Sequence, residues 1–105
     1  VNAGFCLPIP FSMCQVDNVT GKIVKGVPRE AVLNIQLPQK LDRQALIAAH
    51  HQAIKKKYKF TEDSVMVFEM TGQSFQSLHG NSTNLKVTTP QDFSVAKIII
   101  EKVTL

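Results

Sequence analysis

Tryptophan is absent from the sequence, tyrosine occurs once, and cysteine occurs twice in 105 residues. The five glycines, at positions 4, 21, 26, 72 and 80, are too scattered to form a phosphate-cradling loop. Nothing approaches the ~20 consecutive apolar residues of a membrane helix. The opening VNAGFCLPIPF lacks the basic region and cleavage site of a secretory signal. Without an export signal, Asn18-Val19-Thr20 and Asn81-Ser82-Thr83 read as chance matches to the glycosylation pattern. On one straight strand Cys6 and Cys14 would stand ~26 Å apart, against the ~7 Å limit between the Cα atoms of a disulfide. A reduced chain in the cytoplasm is therefore the simpler expectation. Of the three histidines, His50 and His51 are adjacent on a predicted helix and point ~100° apart, while His79 is alone, so no metal site is expected. No serine or cysteine nucleophile has a base beside it. The residues alone describe a basic piece without a catalytic centre of its own, opening on Val1 rather than Met, which reads as a fragment or a processed product.

What is present can fold. Apolar residues make up 44% and charged residues 19% of the chain, a balance that permits a core and argues against disorder. Twelve basic residues against eight acidic give a formal charge of +4, which favours anionic partners. Much of the surplus lies in one run, Lys55, Lys56, Lys57 and Lys59. At the end of a predicted helix, such a run complements the helix dipole. Apart from Tyr58 and Phe60 no aromatic stands nearby to stack on bases. No nucleic-acid partner is expected.

Pro8 and Pro10 argue for an edge strand or an arm, because each removes a ladder donor. Asp17 to Gly21 is turn chemistry, and the sequence from Ile9 to Val27 reads as a hairpin. Ala31 to Gln36 is a short apolar passage closed by Pro38. A helix is predicted over 41–58, capped by Asp42, with Ala45, Leu46, Ala49, Ala53 and Ile54 as its apolar stripe. A second helix, 61–71, would start at a Thr61 cap and stop at Gly72. Short strands are predicted over 74–79 and 84–88. A last helix, 90–103, follows a Thr89 cap, Pro90 and Asp92, with Phe93, Ala96, Ile99, Ile100 and Val103 as its buried face. This alternation predicts a single α/β domain over 1–105.

Three blocks carry a specific resemblance. Val27-Pro28-Arg29, followed by an apolar passage ending Gln36-Leu37-Pro38-Gln39, resembles the VPR…QTPQ segment of cytidylyltransferases. Thr61-Glu62-Asp63-Ser64 is similar to their T-D-E-A/S helix start. Asn84-Leu85-Lys86-Val87-Thr88-Thr89-Pro90-Gln91-Asp92-Phe93 is similar to their terminal NIKITTPEDL. The methylerythritol-phosphate cytidylyltransferases of isoprenoid biosynthesis match best. The ribitol-phosphate cytidylyltransferases of teichoic acid synthesis share most of these motifs.

The resemblance covers nearly the whole chain but matches the C-terminal part of those enzymes. It implies a partial Rossmann-like α/β sandwich, without the N-terminal nucleotide-binding half, and with a protruding β-arm over about 9–27. The implied reaction joins CTP and a polyol phosphate, with release of pyrophosphate. Arg29 and Lys86 would be the catalytic cations on the substrate phosphate. Ser12, Leu37 and Thr61 would line the substrate site. Magnesium would come with CTP, held by the absent half, and the β-arm would join a homodimer. Leu37 departs from the family's Thr, and Phe11 and Cys14 replace its Asp and Lys, so the polyol could differ. A non-catalytic or degenerate dimerisation fragment is the competing expectation, and the isolated chain is expected to be inactive.

Overall fold

The computed structural model describes residues 1–103. In chain order its elements are strands β1 (Asn2–Pro8), β2 (Met13–Val16) and β3 (Ile23–Val27), a 3-10 turn (Arg29–Ala31), and strand β4 (Leu33–Lys40). Helices α1 (Arg43–Lys56) and α2 (Asp63–Thr71), strand β5 (Phe75–His79) and helix α3 (Pro90–Val103) follow. The fold is α/β, with one three-stranded sheet ordered β4-β1-β5 and one two-stranded sheet of β2 and β3. The chain divides into two compact units. One comprises Val1–Phe5 and Leu37–His79, the other Cys6–Gln36 and the residues from Gly80 onward.

The first unit owes its core to small side chains. Ala45, Ala49 and Ala53 recur every four residues along one face of α1, and they pack with Met66 and Val67 of α2. Leu41, Leu46, Phe60 and Met70 close over this cluster. Ile54, expected in the stripe, is 75% exposed, because it follows Ala53 by ~100° and so leaves the packed face. Asp42 caps α1 by accepting the Ala45 amide at 2.8 Å. At the other end Lys57 takes the left-handed conformation, with φ 58°, and the Tyr58 amide donates to the Ala53 carbonyl at 2.9 Å. Gly72, with φ 77°, ends α2 in the same way.

The prolines do not keep the first strand at an edge. β1 lies at the centre of its sheet, since Pro8 is the last residue of the strand and Pro10 lies beyond it. Pro38 sits inside β4, which is an edge strand and tolerates the missing donor. Asn2, Gly4 and Cys6 alternate as the buried residues of β1. Gly4 has no room for a side chain, for a Cβ there would meet Phe75 Cζ at 2.6 Å.

In the second unit, β2 and β3 pair antiparallel, Met13 opposite Val27 and Cys14 opposite Gly26, with a bulge between Gln15 and Val16. The paired strands start at Met13, later than the Ile9 expected from sequence. Asp17 builds the turn, its Oδ1 accepting the Val19 and Thr20 amides at 2.8 and 3.0 Å. All of β2 is exposed, and so is β3 apart from Val27. Helix α3 has the expected cap, yet it buries no residue, and Phe93, Ile100 and Val103 are each 61% exposed. Its amphipathic pattern records a face that needs cover, which the rest of its unit does not provide.

Asn2 is a buried polar group with both ends of its amide satisfied. Nδ2 donates to Gln73 Oε1 at 3.1 Å and to the Ser74 carbonyl at 3.3 Å, while Oδ1 accepts the Asp42 amide at 2.6 Å. Asn2→Ala should therefore lower stability by about 2 kcal/mol, since it leaves buried groups unpaired. Val19→Ala, at a residue 94% exposed, should change little. Urea unfolding followed by circular dichroism checks this, and equal midpoints for the two variants would contradict it.

Candidate functional site

Lys86 lies in an irregular segment and not in the short strand expected over 84–88. Side-chain staples, in place of a ladder, hold this segment at both ends. At its start, Gln36 Nε2 donates to the carbonyls of Asn81 and Asn84, each at 3.0 Å. Asn81 Oδ1 accepts the amide and the hydroxyl of Thr83, both at 2.8 Å. The apparent glycosylation motif is thus a turn device. At its end, Asp92 Oδ2 accepts the Thr88 amide at 3.1 Å, the Thr88 hydroxyl at 3.0 Å and the Thr89 amide at 3.1 Å. Thr89 Oγ1 accepts the Asp92 amide at 3.1 Å in return. That reciprocal pair is a capping box, the one the Thr89–Pro90–Asp92 spacing predicts.

Lys86 itself is exposed. Arg29 opens the 3-10 turn, and its Nη1 reaches the Pro10 carbonyl at 3.4 Å. That contact brings it to the stretch just before exposed Ser12, ahead of β2. Among the described residues no hydrogen bond or ion pair joins Ser12, Arg29 and Lys86 to one another. Leu37 and Thr61 belong to the other compact unit. Leu37 lies in β4, 60% exposed, before a cis bond to Pro38. Thr61 is exposed and does not cap α2.

Glu62 is the cap, its carboxylate accepting the Val65 amide at 3.1 Å. It also accepts short hydrogen bonds from the Ser64 hydroxyl and from Gln39 Nε2. Partial burial raises its pKa, but the Ser64, Gln39 and Val65 donors outweigh burial, and the net shift is downward. Gln36, Gln39 and Glu62 therefore have work that their sequence motifs did not reveal. For Glu62 the available signal was a carboxylate three residues before Val65, the reach of a cap. For the glutamines it was an amide in an otherwise apolar passage. Among the described residues, no three His, Cys, Asp or Glu side chains converge as a metal site, and no helix is long and apolar enough to cross a membrane.

The fold is similar to that of part of the solved cytidylyltransferases. The structure superposes on the 2-C-methyl-D-erythritol 4-phosphate cytidylyltransferase of Thermus thermophilus with a TM-score of 0.75 and 28% identity, over 95% of this chain and 48% of that one. The 4-diphosphocytidyl-2C-methyl-D-erythritol synthase of Anaerococcus prevotii gives a TM-score of 0.79 at 22% identity, over 95% and 46%. The family model of IspD, 2-C-methyl-D-erythritol 4-phosphate cytidylyltransferase, matches residues 3–102. This chain belongs to that family. A relative of the same name from Clostridium botulinum (strain ATCC 19397 / Type A) is 31% identical over 102 residues, 97% of this chain and 44% of the relative. One from Prochlorococcus marinus (strain MIT 9515) is 36% identical over 86 residues, 82% of this chain and 38% of the relative. The chain thus spans less than half the length of these relatives.

The Asp92 carboxyl is held below the usual aspartate range, first by the Thr88 amide, then by the Thr88 hydroxyl and the Thr89 side chain. A depressed carboxyl stabilises the folded junction above its unfolded value near 3.9. That contribution is lost as the pH falls through the lower folded value. A carbon-13 titration of Asp92 should give a midpoint below about 3.9, with the Thr88 and Thr89 amide shifts following the same curve. A midpoint at or above that value would contradict the clasp.

Proposed function

We propose that this chain is the C-terminal, substrate-binding and dimerisation half of a cytoplasmic cytidylyltransferase. The enzyme couples CTP to 2-C-methyl-D-erythritol 4-phosphate in isoprenoid biosynthesis. The observation that carries the proposal is Lys86, a long cation on a segment stapled at both ends, in a chain of this family. A phosphate oxygen of the polyol phosphate attacks the α-phosphorus of CTP in line. The new P–O bond forms as the bond from the α-phosphorus to the bridging oxygen breaks, and pyrophosphate carries the electron pair away. Two polyanions must meet, so the barrier falls through positioning and through fixed cations.

Arg29 grips the polyol phosphate with its planar fork, and Lys86 supplies a point charge. Ser12, of the same unit as Arg29 and Lys86, is a candidate contact to the polyol. Leu37 and Thr61 are candidate substrate residues on the family motif alone, and Leu37 has a methyl surface where the family has a hydroxyl. In this reading magnesium enters with CTP and is held by groups outside this chain.

In the complete enzyme, Lys86→Ala should reduce polyol-phosphate-dependent pyrophosphate release by roughly a hundredfold or more. Lys86→Arg should restore only part of it, because a fork does not replace a point charge. Lys97→Ala should change little, and the 105-residue chain alone should release no pyrophosphate. Equal effects of Lys86→Ala and Lys97→Ala would remove Lys86 from the site.

The hairpin supplies the second test. Phe11, Ile23 and Val24 are 71%, 69% and 59% exposed, an apolar surface that a second copy would cover. Light scattering at micromolar concentration should report a dimer. Phe11→Ser together with Val24→Ser should shift it toward monomer, and a monomeric parent protein would overturn this part of the reading.

A further inference from the structure

The Lys86 segment has a fixed start and a fixed end, and the two fastenings come from residues far apart in sequence. Gln36 of β4 holds the carbonyls of Asn81 and Asn84, and Asp92 of α3 holds Thr88 and Thr89. Between Asn84 and Thr88 the chain can span at most roughly 14 Å, so fixing both ends leaves Lys86 little room to wander. The Gln36 fastening is itself tightly built. Its Oε1 is buried and accepts no hydrogen bond among the described residues. A Cβ at position 80 would come within 2.1 Å of that oxygen, so the carboxamide fits only against Gly80. An orphaned acceptor is unfavourable, and the arrangement persists with Nε2 committed to two carbonyls of the Lys86 segment.

We propose that Gln36 and Asp92 are positioning residues that clamp the Lys86 segment and so set where its ammonium meets the substrate phosphate. The proposal rests on the reading of Lys86 as a phosphate-binding cation. Neither residue touches substrate in it. Each acts through the backbone of 81–89, and the benefit is preorganisation: a cation aimed before the substrate arrives costs no ordering when the complex forms.

The test is a double-mutant cycle on substrate affinity in the complete enzyme. Calorimetry with 2-C-methyl-D-erythritol 4-phosphate as the probe would compare Gln36→Met, Asp92→Ala and Lys86→Ala, alone and combined. Nitrogen-15 relaxation would follow the Lys86 and Val87 amides. Gln36→Met and Asp92→Ala should each weaken binding about tenfold and increase the motion of both amides. Neither should weaken binding further once Lys86 is alanine. Gln36→Met should weaken affinity out of proportion to any change in thermal stability, because it trades two hydrogen bonds for relief of the orphaned acceptor, whereas a purely structural role predicts that the two fall together.

If the clamp variants weaken binding equally in the Lys86→Ala background, or leave affinity untouched while Lys86→Ala lowers it, the clamp is wrong and the reading of Lys86 stands. If Lys86→Ala itself leaves affinity unchanged, the reading of Lys86 falls and takes the clamp with it. Should Asp92→Ala fail to fold, Gln36→Met at the opposite end still decides.

Discussion

The scarcity of buried apolar surface governs how this chain is held. Among the described residues six hydrophobic side chains are buried, and five of them form the single cluster between α1 and α2. Three of those five are alanines, whose value lies in letting the helices approach closely and not in the area they remove from water. Water release therefore secures part of the first unit and little else. In the second unit Cys6 is the one hydrophobic residue buried among those described. Where dispersion cannot fix a loop, a carboxylate or a carboxamide seated on backbone groups does so. Asn2 binds Asp42, Gln73 and Ser74; Asp17 builds the hairpin turn; Glu62 ties α2 to Gln39; Gln36 and Asp92 hold the segment carrying Lys86.

That division explains what could be read from the sequence. Helix ends were legible, because caps are local: Asp42 with Ala45, Thr89 with Asp92, and Gly72 at positive φ all lie within one turn of the residues they serve. The hairpin was legible from Asp17 to Gly21 for the same reason. Long-range matters were not. Pro8 and Pro10 suggested an edge strand, and nothing local could reveal that β1 runs central until Pro8 ends it. Thr61 looked like the cap of α2, but Glu62 takes that place, aided by Gln39 from β4, more than twenty residues away. The strand expected at 84–88 failed in the same way, since the Asn84 carbonyl accepts from the Gln36 side chain and the Thr88 amide donates to the Asp92 side chain.

The candidate site was legible only through motif resemblance. Composition gave Arg29 and Lys86 no distinction from other surface cations, and the fold alone leaves them exposed. What the structure adds is the difference between Lys86 and Lys97. Lys97 stands on a helix among solvated neighbours, where a lysine's long stem keeps its freedom. Lys86 stands on a short segment whose ends are fixed, so part of the ordering that a phosphate contact requires is already in place.

Electrostatic catalysis requires cations that do not reorganise during the reaction. Within this chain the hydrophobic burial of the second unit is slight, because α3 and the hairpin expose their apolar faces, and hydrogen-bonded staples meet part of the demand. A capping box and a bidentate amide fix a few residues strongly without requiring the surrounding unit to be densely packed. They also concentrate sensitivity. In a well-packed domain a misplaced loop is corrected by many small contacts, whereas here each end of the Lys86 segment is held by a few hydrogen bonds. Asp92 must be ionised to accept three donors, and Gln36 must face a glycine to reach two carbonyls. On the proposed reading of Lys86, the positions that set the site thus include an amide and a carboxylate that act through the backbone.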